Sequence, residues 1–240
     1  MAKSLEAFLS QEYTNKKLVI VDGKSTDNSH RIITEFLAKE VPLVWDRTPD
    51  KGISSAINIG LQHMKEGDIF GYLGSDDILM PNILSEIAFL FGMAPDIDGL
   101  YFDSYSYQGE KGFLSYRKCP TSEFSINSLL RFGTIAGLQN IYIKGAHVEA
   151  NRFNEMNNYS MDYDLYIRLA KSGKTRFAHV PKPSTVNLMH GNISTQFISQ
   201  GAQEALAAAM AHVGYSPRVL VRALYLKLSH VKSKFLGRHV

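Results

Sequence analysis

The run "KLVIVDG" followed by "STDNSHRIITEFLAKE" constrains this chain more than any other feature. Four apolar residues closed by Asp22 and Gly23 suit a strand buried on both faces. Ser25, Thr26 and Asp27 then offer caps for a helix whose apolar face is Ile32, Ile33, Phe36 and Leu37. The pattern repeats. "VPLVW" reads as a second strand, "DRTPDKG" as a polar loop and "ISSAINIGLQHM" as a helix. "DIFGYLG" reads as a third strand, and Pro81 suits the first turn of the helix "NILSEIAFLF". Strands alternating with helices predict an α/β layer with a mostly parallel central sheet. Residues 4–11 read as the end of a short helix.

The middle of the chain changes character. "GLYFDSYSYQGEKGFLSYRK" predicts two strands around a Gly-Glu-Lys-Gly turn. "NEMNNYSMDYDLYIRLAKSG" is a polar loop and a helix that Gly173 caps. "KTRFAHVP" is a further strand. Two C-terminal helices follow, "STQFISQGAQEALAAAMAHVG" and "SPRVLVRALYLKLSHVKSKFL", with a break near Gly214–Pro217.

Ligands in open α/β sheets sit outside the carboxyl ends of the strands. Asp22 and the adjacent Asp76 and Asp77 lie at such ends. A hard divalent cation takes oxygen ligands, often one or two carboxylates plus substrate phosphates. The plain alternative is a pair of acids serving the following helix dipole. Asp22 reads equally as a ligand carboxylate or as turn chemistry. Asp50, Lys51 and Gly52 stand just before a helix, where backbone N–H groups and a lysine can hold an anion, or where an aspartate simply caps. Asp162 and Asp164 begin another helix, and Arg168 is placed to pair with either.

Other classes are disfavoured. The sequence has no HExxH pair, GxSxG elbow, P-loop or GxGxxG. His147, His179 and His190 are scattered and read as structural. Cys119 is the single cysteine, which excludes an intrachain disulfide or a cysteine metal cluster and fits a reducing compartment. With 45% hydrophobic and 20% charged residues the composition is that of a soluble globular protein, and a net charge of +3 gives no argument for nucleic acid. No apolar run approaches the roughly 18 residues of a membrane span. Past Glu204 there is no acid, while Arg218, Arg222, Lys227, Lys232, Lys234 and Arg238 follow. A basic amphipathic helix there predicts peripheral contact with an anionic membrane; a helix packed back on the domain explains it equally.

In order and spacing, "QEYTNKKLVIVDGKSTDNS", "DRTPDKGISSAINIGL", "GDIFGYLGSDDILMP", "SMDYDLYIRLAKSG" and "HGNIS" resemble the family-2 glycosyltransferases over about residues 4 to 195. The "PDKGI…AIN" form is similar to bacterial members that build surface polysaccharides and lipid-linked sugars. The resemblance implies a GT-A fold: a three-layer sandwich over residues 1–195, followed by a basic helical segment over 196–240. It implies metal-assisted, inverting transfer from a nucleotide-diphosphate sugar to a saccharide or lipid-linked acceptor, in the cytoplasm or at the inner face of the membrane. Asp22 would recognise the base, Asp50 and Lys51 would line the donor pocket, and Asp76 would lie near the ribose. Asp77 would hold Mg²⁺ or Mn²⁺, Asp162 would be the general base, and His190 would lie near the diphosphate.

The departures from the family pattern are Lys24 and Asn28 at positions where glycine is common, Gly74 in place of an acid or amide, and Leu138 in place of a histidine. The family also opens with a strand ahead of the first helix, and here Met1 falls almost inside that helix. This predicts a strand "KLVIV" with one edge unpaired, and it motivates a second reading as a GT-A-fold protein without turnover. A nucleotidyltransferase would also pair carboxylates with Mg²⁺, but the Gly-rich basic loop usual after its first strand is absent.

Overall fold

The computed structural model describes residues 1–39, 42–109, 112–188 and 197–221. The first half alternates as its apolar runs dictate: α1 (Ala2–Leu9), β1 (Leu18–Val21), α2 (Ser29–Leu37), β2 (Leu43–Asp46), α3 (Ile53–Leu61), β3 (Ile69–Gly71), β4 (Asp77–Leu79) and α4 (Ile83–Met93). Then come β5 (Gly99–Gln108), β6 (Phe113–Arg117), α5 (Ile126–Phe132), a 3₁₀ turn (Leu138–Asn140), β7 (Ile141–Lys144), α6 (Gly145–Ala150), α7 (Met161–Ser172), β8 (Phe177–Leu188) and α8 (Ile198–Val213).

Alternating side chains on the central strands set three layers. Leu100 and Phe102 of β5 and Tyr142 of β7 face one way, onto Phe8 of α1 and Ile83, Ile87 and Phe91 of α4. Tyr101, Ile141 and Ile143 face the other way, onto Leu129 of α5, Leu165 and Leu169 of α7 and Ala209 of α8. The helices thus cover both faces of the sheet.

The strand directions correct one expectation. The larger sheet runs β3-β7-β5-β8-β4 with β6 also on β5, and only β5–β8 is a parallel ladder in it; β3–β7, β5–β7, β4–β8 and β5–β6 are antiparallel. The sheet is mixed because β7 and β4 come from segments that turn back on themselves. β1 and β2 pair in parallel as a separate two-stranded sheet. Among the described residues β1 has no other ladder partner, as expected for "KLVIV", and its four residues are only half-buried.

Local starts differ too. α2 begins at Ser29, past the Ser25–Asp27 caps; Asp27 instead accepts the Ser29 N–H at 2.9 Å. α4 begins at Ile83 behind a left-handed Asn82, so Pro81 precedes the first turn rather than occupying it. Gly173 ends α7 at φ 63, as predicted. Lys24 sits at φ 70, left-handed backbone that a side chain disfavours and glycine accepts. Lys24→Gly should therefore raise stability by about 1 kcal/mol, read as a higher denaturant midpoint at unchanged m-value.

No helix among the described residues is long and apolar enough to cross a membrane. The tail's first turn packs inward: Val219 is fully buried and Arg218 bonds the Asn127 side chain. The remaining basic residues, Arg222, Lys227, Lys232, Lys234 and Arg238, lie outside the described residues, as does His190.

Candidate active site

Asp22 continues β1 by one residue, its N–H bonding the Asp46 carbonyl at 2.9 Å. Its carboxylate is almost wholly buried. One oxygen accepts the Ser25 N–H at 2.8 Å, and the other lies 2.8 Å from Nε2 of His30 on α2. Burial pushes its pKa up, but the Ser25 hydrogen bonds and the His30 imidazole outweigh that and hold it below the usual carboxylate value. Asp50 lies directly over Gly23, where any Cβ would collide with its carboxylate, and it accepts the Gly52 N–H at 2.9 Å. Gly23 is thus the residue that lets Asp22 and Asp50 adjoin. Lys51 is exposed beside them. Gly52, at φ 125, starts α3, and a Cβ there would stand 2.7 Å from the Asn158 side-chain oxygen. The Asp50 loop and the loop ahead of α7 are therefore in contact.

Asp76 and Asp77 lie where the chain leaves β3 and enters β4. Asp77 opposes Asn187 on β8. Gly74 presses against both carboxylates: an added Cβ would be 2.5 Å from Asp77 Oδ2 and 3.1 Å from Asp76 Oδ1. This explains the glycine at a position where the family carries a larger residue. Asp77 is buried; its carboxylate accepts a backbone hydrogen bond from Gly74 and makes no ion pair among the described residues. Burial first, then the Asp76 charge, push its pKa up to about 7. Tyr72 is raised to about 12 by burial and by the same two carboxylates. α1 and the residues just past it pin this turn: Ser4 donates to the Ser75 carbonyl at 2.8 Å, and Gln11 donates to the Met80 carbonyl at 3.0 Å.

Asp162 stands in the first turn of α7, where its carboxylate accepts the Tyr163 N–H at 2.7 Å and its own backbone N–H. Burial pushes its pKa up to about 6. Asp164 is almost wholly buried; it is ion-paired with Arg168 at 2.9 Å and lies 2.9 Å from Nε2 of His212 on α8, so it braces α7 against α8.

Three side chains that the sequence did not single out hold the loop before Asp162. Ser54 Oγ donates to the Asn157 carbonyl at 2.6 Å, and Asn58 makes both amide bonds to the Phe153 backbone at 2.9 Å. Glu204 of α8 accepts the N–H groups of Asn158, Tyr159 and Ser160 at 3.2, 2.7 and 3.0 Å. Glu204→Ala should lower stability by about 2–3 kcal/mol, because it leaves the Asn158 and Tyr159 N–H groups without an acceptor, while the Ser160 N–H keeps the Asn157 side-chain oxygen at 2.9 Å. Glu204→Gln keeps one acceptor oxygen of the two and should lose about half as much, as denaturant melts of the pair would show.

Two cavities, about 260 and 210 Å³, flank Cys119, and none of the six predicted residues lines either.

The sequence profile described as Glycosyl transferase family 2 matches residues 1–148. The chain belongs to that family. A protein of Rickettsia felis described as an uncharacterized glycosyltransferase is 29% identical over 186 residues, covering 74% of this chain and 30% of that protein. The chain thus spans under a third of the length of that relative. Its fold is shared with solved structures. Staphylococcus aureus TarS residues 1–349 with UDP-GlcNAc superpose at TM-score 0.66 with 15% identity, over 86% of this chain and 60% of that one. A mannosyltransferase from Pyrobaculum calidifontis with GDP-Man and Mn²⁺ superposes at 0.66 with 16% identity, over 93% of this chain and 64% of that one. These likenesses establish the GT-A architecture expected from the sequence.

Proposed function

We propose that the chain transfers a sugar from a nucleotide-diphosphate sugar to a hydroxyl of a saccharide or lipid-linked acceptor, with inversion and with a divalent metal. The observation that carries this reading is Asp77: a buried carboxylate beside a second carboxylate, with a backbone hydrogen bond from Gly74 but no ion-pair partner among the described residues, is short of positive charge. Hard oxygen donors at that spot fit Mg²⁺ or Mn²⁺. When bound, the cation would neutralise the diphosphate leaving group as a Lewis acid. Asp77 would hold it, and Asp76, half-exposed at the same turn, would accept a ribose hydroxyl. Asp22, held ionised by Ser25 and His30, would accept N–H groups of the base. Asp50 would bound the same pocket, and Lys51 would add a cation for phosphate. Asp162 would accept the proton of the acceptor hydroxyl as that oxygen attacks the anomeric carbon opposite the leaving group. A pKa of about 6 leaves it ionised at neutral pH and makes it a stronger base than an ordinary aspartate. The named ligands of the solved relatives, UDP-GlcNAc in one and GDP-Man with Mn²⁺ in the other, support the donor class.

Calorimetric titration of UDP and of GDP with Mn²⁺ tests the reading. Wild type should bind one of them in a metal-dependent way, and Asp77→Asn should not; equal metal-dependent binding by both proteins would sink it.

A second reading, a GT-A-fold protein without turnover, is favoured by the single ladder partner of β1 among the described residues. Sugar transfer by this chain itself, from a UDP- or GDP-sugar to a saccharide acceptor, would reject it. Peripheral membrane contact by the basic tail is proposed as well. Co-sedimentation with anionic vesicles that is unchanged by deleting residues 215–240 would refute it.

A further inference from the structure

Three metal-ligating side chains meet away from the carboxylates above. Asp103 lies on β5, Cys119 two residues past β6 and His179 on β8, and one ligand atom from each lies within 4.8 Å of the other two. Asp103 sits where the β5–β8 register slips on both sides of it, an irregularity of the kind that re-aims a side chain. The residue is 1% exposed. Its Oδ1 accepts the Cys119 N–H at 2.8 Å and lies 2.9 Å from His179 Nε2, while Oδ2 accepts the Tyr116 hydroxyl at 2.5 Å. The Tyr101 ring stacks on the imidazole at 5.1 Å. Outer partners of this kind fix the orientation of metal ligands.

An Asp–His pair with a tyrosine would by itself brace the β5–β6 hairpin against β8. Two features go beyond a brace. A thiol completes a third corner, and the cavity of about 260 Å³ lined by Cys119, Thr121, Ser122 and His179 opens beside it. We propose that Asp103, Cys119 and His179 bind one borderline-soft divalent cation of the Zn²⁺ class, with its fourth position open to that cavity.

One sulfur, one nitrogen and one oxygen suit Zn²⁺ or Co²⁺ and do not suit Mg²⁺ or Mn²⁺. Tetrahedral ligands at about 2.0–2.3 Å from the ion stand roughly 3.3–3.7 Å apart. The 2.9 Å His179–Asp103 contact must therefore open by only about 0.4 Å. The thiol proton leaves to solvent, and the imidazole proton moves from Nε2 to Nδ1, so the ligand set is thiolate, neutral imidazole and carboxylate. This site is independent of the proposed transfer reaction, since Asp76 and Asp77 contribute no sulfur.

Titrating Co²⁺ into the whole chain under reducing conditions tests the assignment. One equivalent should give a thiolate-to-cobalt charge-transfer band with tetrahedral d–d absorption. Zn²⁺ should erase both, and Mg²⁺ should not. Cys119→Ser should lose the charge-transfer band and bind Zn²⁺ at least tenfold more weakly, whereas Asp77→Asn should retain both properties. Absence of the band in wild type at one equivalent overturns the proposal, as does unchanged Zn²⁺ affinity in Cys119→Ser. The wild-type spectrum and its response to Zn²⁺ decide the matter even if the serine variant does not fold.

Discussion

Asp162→Asn is expected to lower the turnover of sugar transfer by 10²–10⁴-fold, the usual contribution of a general base, and to leave donor binding unchanged. Asparagine is nearly isosteric and can still face the Tyr163 N–H with its carbonyl oxygen. What it cannot do is take the acceptor proton. In wild type, turnover should rise with pH and level off above about 6, the value to which burial lifts this carboxylate. The variant should lose that limb. The folding effect has the opposite sign. The folded pKa is raised above the unfolded one, so the unfolded chain holds fewer protons between about pH 4 and 6, and wild-type stability falls as pH rises through that window. Removing the charge should therefore stabilise the protein at neutral pH, by about 1–2 kcal/mol after solvent screening. A variant that is slower yet melts higher cannot be explained as misfolded. Unchanged turnover on a donor–acceptor pair that wild type uses would remove Asp162 from the proposed role.

Much of the fold was legible where the signal is local. β1, β2, α3, the β5–β6 hairpin and α7 follow from apolar period, turn residues and caps within a dozen residues. β4 did not announce itself, because Asp77–Leu79 is a strand only through its ladder with Thr185–Asn187, and the Asp-Asp pair read as the end of the strand before it. β8 runs on to Leu188, past Pro181 and Pro183, where a proline normally ends a run. The mixed sheet was illegible for the same reason. Strand direction is fixed by tertiary packing, and β7 with α6 occupies a stretch with no strong periodic pattern. The acids at element ends could be picked out because desolvated carboxylates need a purpose. Their supports could not: Ser54, Asn58 and Glu204 find their partners 103, 95 and about 45 residues away. The Asp103–Cys119–His179 group was hidden in the same way, since residues 76 apart in sequence carry no spacing signature. Lys24 is the converse case. The sequence showed a lysine where glycine is common, and the backbone at φ 70 gives the reason glycine would be preferred.

Asp77→Asn is the substitution expected to separate function from stability most sharply. Asp77 is buried beside Asp76, and in the metal-free protein its pKa stands at about 7, against 3.8 for an ordinary aspartate. Between those values the folded protein holds a proton that the unfolded chain has released. The sign follows directly: stability of the metal-free protein decreases as pH rises from about 4 to 7, then stays at that lower level. Asparagine removes the penalty. At pH 8 the metal-free variant should be more stable than wild type by on the order of 2–4 kcal/mol, roughly 5–10 °C in Tm for a chain of this size. At pH 4 the two should melt together. Mn²⁺ with a nucleoside diphosphate should reverse the order at pH 8, because a ligand that binds only the folded state stabilises by mass action, and only wild type retains the carboxylate for the ion. Thermal melts of both proteins at the two pH values, with and without Mn²⁺ and UDP or GDP, check all of this in one series. A variant that melts below wild type in the metal-free state at pH 8 would show that the Asp77 charge is compensated within the fold, and the main reason for placing a cation beside it would be gone.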